Sequence, residues 1–162
     1  MRSPEGMRRP RRRRLTTSEV DNYVAELSAV QTDCIDGRVL SGIVMLLYYA
    51  GLDVEEIIKL QIEHVEDKQG RILSRISLNG REYQLPEELR EYLREYIHYL
   101  KRSTGRRILR KSPLFPDWKN DRKRGTRNPF YDGRTLRRHI KTAIRGPGRY
   151  YGLDKIKFGI YI

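Results

Sequence analysis

RILSRISLNGREYQLP, residues 71–86, holds the strongest local signal in this 162-residue chain. Asn79-Gly80 separates two strand-like runs, Arg71 to Leu78 and Arg81 to Leu85. A two-residue type I′ turn needs positive φ at both central positions, and Asn-Gly supplies it most readily, so the segment reads as a β-hairpin. The turn sets the register, with Ile76 opposite Tyr83 and Leu78 opposite Arg81. Ile76, Leu78, Tyr83 and Leu85 then share one face, which needs something apolar to cover it.

The cover lies on both sides in sequence. Downstream, Pro86 suits the first turn of a helix and Glu87 and Glu88 suit its positive dipole end. Leu89, Leu93, Tyr96, Ile97 and Leu100 follow at helical spacing as a buried stripe. Upstream, Val39 to Ala50 is apolar almost all round, which places that helix in the middle of a core. Gly51 stops it, and Asp53 with Glu56 has capping-box spacing for a short helix carrying Val54, Ile57, Ile58 and Leu60. Thr16 and Glu19 repeat that spacing ahead of a stripe of Val20, Tyr23, Val24 and Leu27, a first helix ending before Asp33 to Gly37.

Beyond the hairpin and its helix, residues 101–129 read as a long basic connection, anchored by Leu114, Phe115 and Trp118. A connection of that length usually carries function. A last helix is expected from about Thr135 to Arg145, with Leu136, Ile140 and Ile144 inward. The apolar tail Ile156, Phe158, Ile160 and Tyr161 reads as a strand cut short. The fold class is therefore α+β, mainly helical with a small antiparallel β-sheet.

Charge divides the chain differently. The net charge is +13, from 34 Lys plus Arg against 21 Asp plus Glu. Residues 1–14 carry seven Arg against Glu5 alone and read as a disordered basic arm; residues 15–162 form the domain. Residues 101–149 carry seventeen Lys or Arg against Asp117, Asp121 and Asp132, whereas 15–99 is net acidic. Two basic blocks around an acidic core are the footprint of a polyanionic partner. Cys34 is the only cysteine, which excludes an internal disulfide and a cysteine-based zinc site; it reads as an ordinary, partly buried thiol. His64, His98 and His139 lack ligand spacing and read as surface or satisfied histidines. No metal and no cofactor is expected. The apolar run Gly42 to Leu52 is shorter than the ~20 residues of a membrane span. Thr16 to Asp21 is too polar for a secretory signal, so no membrane partner and a cytoplasmic location are expected.

The order of these elements resembles the catalytic domain of tyrosine recombinases, the phage integrase family. Leu46-Leu47-Tyr48-Tyr49-Ala50-Gly51-Leu52-Asp53-Val54-Glu55-Glu56-Ile57-Ile58-Lys59-Leu60 is similar to the family's first signature, roughly T-G-L-R-I-S-E-L-x-x-L. Tyr83-Gln84-Leu85-Pro86 resembles the close of its β-hairpin, and Ser112-Pro113-Leu114-Phe115 its P-L-F segment. The opening Leu15-Thr16-Thr17-Ser18-Glu19-Val20 resembles the start of such domains. The likeness covers about residues 12–158.

The departures bear on activity. Where the first signature carries an arginine that contacts the scissile phosphate, this sequence has Asp53. The family's hairpin lysine should fall near Leu78, and only Arg81 stands close enough to substitute. The H-x-x-R box should follow Lys157, where Phe158-Gly159-Ile160-Tyr161 stands; the resemblance implies a domain truncated before the later His/Trp and the nucleophilic tyrosine. In a competing register, Arg134-Thr135-Leu136-Arg137-Arg138 lies on the H-x-L-R-H box. Arg137 would then be the catalytic arginine, with Arg81 beside it and Tyr150, Tyr151 or Tyr161 as nucleophile. Asp53 has a structural reading too, as the N-cap of the helix from Val54.

The expected nucleic-acid-binding residues are Arg11, Arg12, Arg13, Arg14, Arg81, Arg122, Lys123, Arg124, Arg127, Arg134, Arg137, Arg138 and Lys141. The last helix would gather Arg134, Arg137, Arg138 and Lys141 largely on one face opposite Leu136, Ile140 and Ile144. Tyr48, Tyr49, Tyr92, Tyr96 and Tyr99 read as core or boundary residues rather than stacking platforms. The leading expectation is an integrase-like protein that binds DNA without cleaving it, as a decoy, a regulator or a mobile-element remnant. Its further partner would be an intact recombinase or a second copy of itself. The rivals are an active recombinase in DNA integration, and a basic RNA- or ribosome-associated protein.

Overall fold

The computed structural model describes residues 16–33, 35–103, 107–117, 130–136 and 138–139. The elements are α1 (Thr17–Ser28), α2 (Gly37–Tyr49), α3 (Val54–Ile57), α4 (Ile62–Val65), β1 (Arg75–Leu78), β2 (Arg81–Gln84) and α5 (Glu87–Ser103). A further helical stretch begins at Gly133. Helices dominate, and β1 and β2 form one antiparallel two-stranded sheet.

Helix α2 is the axis of the core. Gly37 and every residue from Val39 to Tyr48 are buried, as its lack of a polar face requires. Helix α1 packs along it through Val20, Tyr23 and Leu27. Thr16 caps α1 by accepting from Glu19 N at 3.2 Å while Glu19 accepts from Thr16 N at 3.1 Å. Helix α5 lays Leu89, Leu93, Tyr96, Ile97 and Leu100 against the same core. Two tyrosine hydroxyls in its C-terminal half pin it. Tyr99 donates to the α2 cap residue Asp36 at 3.2 Å, and Tyr96 donates to the Leu114 carbonyl at 2.7 Å.

Two glycines let these helices come close. A Cβ on Gly37 would run into the Leu27 and Val30 carbonyl oxygens, and one on Gly42 would meet the Phe115 ring. Phe115 in turn lies 5.4 Å from the Tyr96 ring, so α2, α5 and the 112–117 segment meet at one point.

The hairpin forms in the expected register, Ile76 opposite Tyr83 and Leu78 opposite Arg81, with Asn79 at φ 49° and Gly80 at φ 76°. Ile76 and Leu85 are buried, and Leu78 and Tyr83 half-buried, so all four share the inward face. The first strand is shorter than the sequence suggests, beginning at Arg75 rather than Arg71. Asp67 explains this: its carboxylate accepts from the backbone of Gln69 and Arg71, both at 2.9 Å, and folds 67–71 into a turn around Gly70. Helix α4 was not foreseen, because four residues are too few to show a period. Helix α5 runs on to Ser103, into what reads in sequence as connection. The last helical stretch starts two residues earlier than expected because Asp132 caps it, accepting from Thr135 N at 2.7 Å.

Tyr48 and Tyr96 are buried and Tyr49, Tyr92 and Tyr99 line the core's edge, as expected of boundary residues. His64 accepts from Gln61 N at 2.8 Å, and His139 is buried 3.3 Å from the Tyr131 hydroxyl. Among the described residues, no helix is long and apolar enough to cross a membrane. The basic arm 1–14, Cys34, Trp118, Ile140, Ile144 and the tail from Ile156 lie outside the described residues.

Two outcomes follow. Gly37→Ala should lower unfolding free energy by about 3 kcal/mol in denaturant titrations, since backbone carbonyls cannot yield. Burial holds the Tyr96 hydroxyl well above the usual tyrosine value of 10.0. A raised folded-state pKa means that stability is full below about pH 10 and lost as pH climbs toward the folded value. Unfolding midpoints between pH 8 and 11 should therefore fall, and fall less in Tyr96→Phe.

Candidate nucleic-acid interface

Around the start of α3 the chain assembles a small polar cluster. Gly51, at φ 73°, ends α2 and lets Leu52 turn back into the core. Asp53 is thereby left exposed at the N-cap of α3. Its carboxylate accepts from Glu56 N at 2.8 Å, and Glu56 Oε1 accepts from Asp53 N at 3.2 Å. The structural reading of Asp53 as a cap is what the geometry displays.

The hairpin closes over this cap. Tyr83, on β2, donates its hydroxyl to Glu56 Oε2 at 2.6 Å. That bond to a carboxylate, with burial adding to it, pushes the Tyr83 hydroxyl above its ordinary pKa; the neighbouring Arg81 guanidinium pulls the other way. One end of the hairpin thus brings Arg81 and Tyr83 to Glu56 and its capping partner Asp53. The sequence supplied each cap and the hairpin separately, but not the Glu56–Tyr83 bond between them. No local pattern connects residues 27 positions apart.

Chemically the cluster is a poor phosphate cradle. Two carboxylates stand beside one guanidinium, and the hydroxyl is committed to a carboxylate. A nucleophilic tyrosine needs the opposite, an easily lost proton and converging cations.

Three cations elsewhere on the central body have partners. Arg71 pairs with Asp67 at 3.2 Å, Arg75 with Glu82 at 3.1 Å, and Arg38 stacks 4.4 Å over the Tyr99 ring. Arg134 and Arg138 belong to another part of the chain. They lie one helical turn apart on the last helical stretch, both exposed, with Leu136 and His139 buried beneath. Arg134, Leu136 and Arg138 stand as the expected two-faced helix places them; Arg137, Ile140, Lys141 and Ile144 lie outside the described residues. The sheet-like bridge between Pro116 and Phe130 ties this stretch back to the 112–117 segment and so to the core.

Of the residues expected to touch nucleic acid, the described ones are Arg81, Arg134 and Arg138. Arg11, Arg12, Arg13, Arg14, Arg122, Lys123, Arg124, Arg127, Arg137 and Lys141 lie outside the described residues, as do Tyr150 and Tyr151. The competing register, which needs Arg137 and one of those tyrosines, falls there too. Among the described residues, no group of His, Cys, Asp or Glu side chains is placed to hold a metal ion.

Removing the pin tests the cluster. Tyr83→Phe should cost about 1 kcal/mol of stability, the worth of one partly exposed hydrogen bond. Asp53→Ala should cost about 1 kcal/mol through the lost cap. Because both act on Glu56, the double variant measured by denaturation should depart from the sum of the two.

No protein-family model matches this chain, and neither does any curated protein. Among solved structures it is similar to the crystal structure of XerA recombinase, at 22% sequence identity and a TM-score of 0.56. The match covers 96% of this chain and 49% of that one, so the chain spans about half the length of the structure it resembles. The mainly helical fold with its two-stranded antiparallel sheet is that of a tyrosine recombinase, as the sequence resemblance implies.

Proposed function

We propose that this chain binds DNA through its phosphates, in the cytoplasm, and does not by itself cleave it. The reading is carried by the Asp53–Glu56–Tyr83 assembly. At the place where the resemblance expects an arginine facing the scissile phosphate, the chain has a carboxylate bonded into a helix cap. The transition state of phosphoryl transfer concentrates negative charge, and catalysis depends on cations aimed at it. An acid there opposes the reaction, and Arg81 alone does not reverse the sign.

Binding makes no such demand at that cluster. It needs cations on a surface that a duplex can reach, and net charge of +13 with two basic blocks provides them. The contacts fall to Arg134, Arg137, Arg138 and Lys141 on the last helix. Arg122, Lys123, Arg124 and Arg127 on the preceding connection, and Arg11 to Arg14 on the arm, add to them. Most go to phosphates, which position a protein without reading sequence. A chain of this kind acts by occupying DNA, and through it an intact recombinase or a second copy, rather than by cutting.

Affinity for duplex DNA in fluorescence anisotropy should fall steeply between about 50 and 200 mM salt, as counterion release demands. A flat response would overturn phosphate binding, and stronger competition by structured RNA than by duplex would move the function to RNA. Incubation with nicked suicide-substrate DNA should leave no covalent adduct on a denaturing gel. A tyrosine-linked adduct would establish the active recombinase instead.

A further inference from the structure

At the C-terminal end of α5 the chain carries a second concentration of positive charge. Residues 101–111, KRSTGRRILRK, contain six cations and no acid. Five of these, Lys101, Arg102, Arg107, Arg110 and Lys111, are described, and all are exposed. Lys101 reaches the carboxylate of buried Glu66 at 3.4 Å, and Arg110 donates to the Glu66 carbonyl at 3.5 Å. Arg102, Arg107 and Lys111 make no ion pair among the described residues. Between them Leu109 is 54% exposed, the sole large hydrophobic side chain left in solvent among the described residues.

This is a fixed ledge. Leu109 N donates to Ser112 Oγ at 2.8 Å and Ser112 N donates to the Leu109 carbonyl at 3.0 Å, closing a turn. Glu63 N donates to the Arg110 carbonyl at 2.9 Å and Ile62 N to the Ser112 carbonyl at 3.0 Å, fastening the turn to α4. Leu114 N then donates to the Leu60 carbonyl at 2.8 Å. The backbone carrying Leu109, Arg110 and Lys111 is therefore held in place before any ligand arrives, which removes part of the entropic cost of binding.

Exposed cations close together in sequence repel, and an apolar side chain held in water gains nothing. Both costs end when an anionic polymer with an apolar edge covers the ledge. A DNA duplex is such a partner, with phosphates for the arginines and a minor-groove edge for a leucine. The adjacent groove along α5, lined by Arg94, His98 and Lys101, also holds Glu66 and Glu95, so phosphates are better placed toward Lys111 than along the helix.

We infer that the ledge formed by Arg102, Arg107, Arg110 and Lys111 around Leu109 is a second DNA-backbone contact, separate from the Arg134–Arg138 helix. This rests on the DNA-binding reading above. The test measures anisotropy of a labelled duplex of about 20 base pairs against salt, for the full chain and three variants. R102Q/R107Q/K111Q, all surface changes, should flatten the slope of log affinity against log salt by about 2 to 3, since each phosphate contact contributes about 0.9. Leu109→Ser should weaken binding several-fold with the slope unchanged, because it carries no charge. R134Q/R138Q should flatten the slope independently. If the triple variant binds like the parent while R134Q/R138Q weakens it, the ledge faces something other than DNA and the inference fails alone. If the parent itself does not bind duplex DNA, the DNA-binding reading fails with it.

Discussion

The whole fold depends on α2 being buried on every side. An apolar cylinder of this kind has no stable place except between other elements, so α1, α3 and α5 must all come to it. Close approach is what turns that demand into a specific arrangement. Gly37 admits the end of α1, with its own N–H bonded to the Val30 carbonyl at 2.8 Å. Gly42 admits Phe115, and through Phe115 the segment that leads to the last helical stretch. The position of the outer, charged parts is thus set by contacts at the centre.

That arrangement separates two electrostatic regimes. The central body is net acidic, and three of its exposed cations are paired or stacked on a ring. Exposed pairs of this sort add little to stability, about 0 to 1 kcal/mol each. In sequence, residues 1–14 and 101–149 carry the excess of cations. A uniformly basic protein would spread its positive potential everywhere; this sequence concentrates its cations in two blocks.

Much of the fold was legible in sequence, wherever one strong local constraint acted. Asn79-Gly80 admits few backbones and so dictated register; Thr16/Glu19 and Asp53/Glu56 marked two helix starts; α2's composition placed it in the core. The errors came where local signals were short or borrowed partners from afar. Helix α4 has one turn, the Asp67 turn takes Arg71 out of β1, and α5 overran into basic residues that look like linker. For the site, the two-faced character of Arg134 and Arg138 could be read from spacing alone. The Glu56–Tyr83 bond could not, because it depends on how the hairpin settles over α3. The ledge at 107–111 was hidden by the same logic: its exposure follows from the hydrogen bonds that fix it to α4, while its composition says only that it is basic.

Asp53 shows how stability and chemistry can exclude each other at one position. A carboxylate there accepts the Glu56 N–H, favours the positive end of the helix dipole, and joins the cluster that holds the hairpin through Tyr83. An arginine would be available to a phosphate but could accept no backbone hydrogen bond, and would meet the same dipole with the wrong sign. The tyrosine follows the acid: once Glu56 holds its hydroxyl at 2.6 Å, that proton is harder to remove, and the group is less of a nucleophile than a free tyrosine. The acid at the start of this four-residue helix therefore ties Glu56 and Tyr83 into a structural role, and an arginine placed there would break the cap.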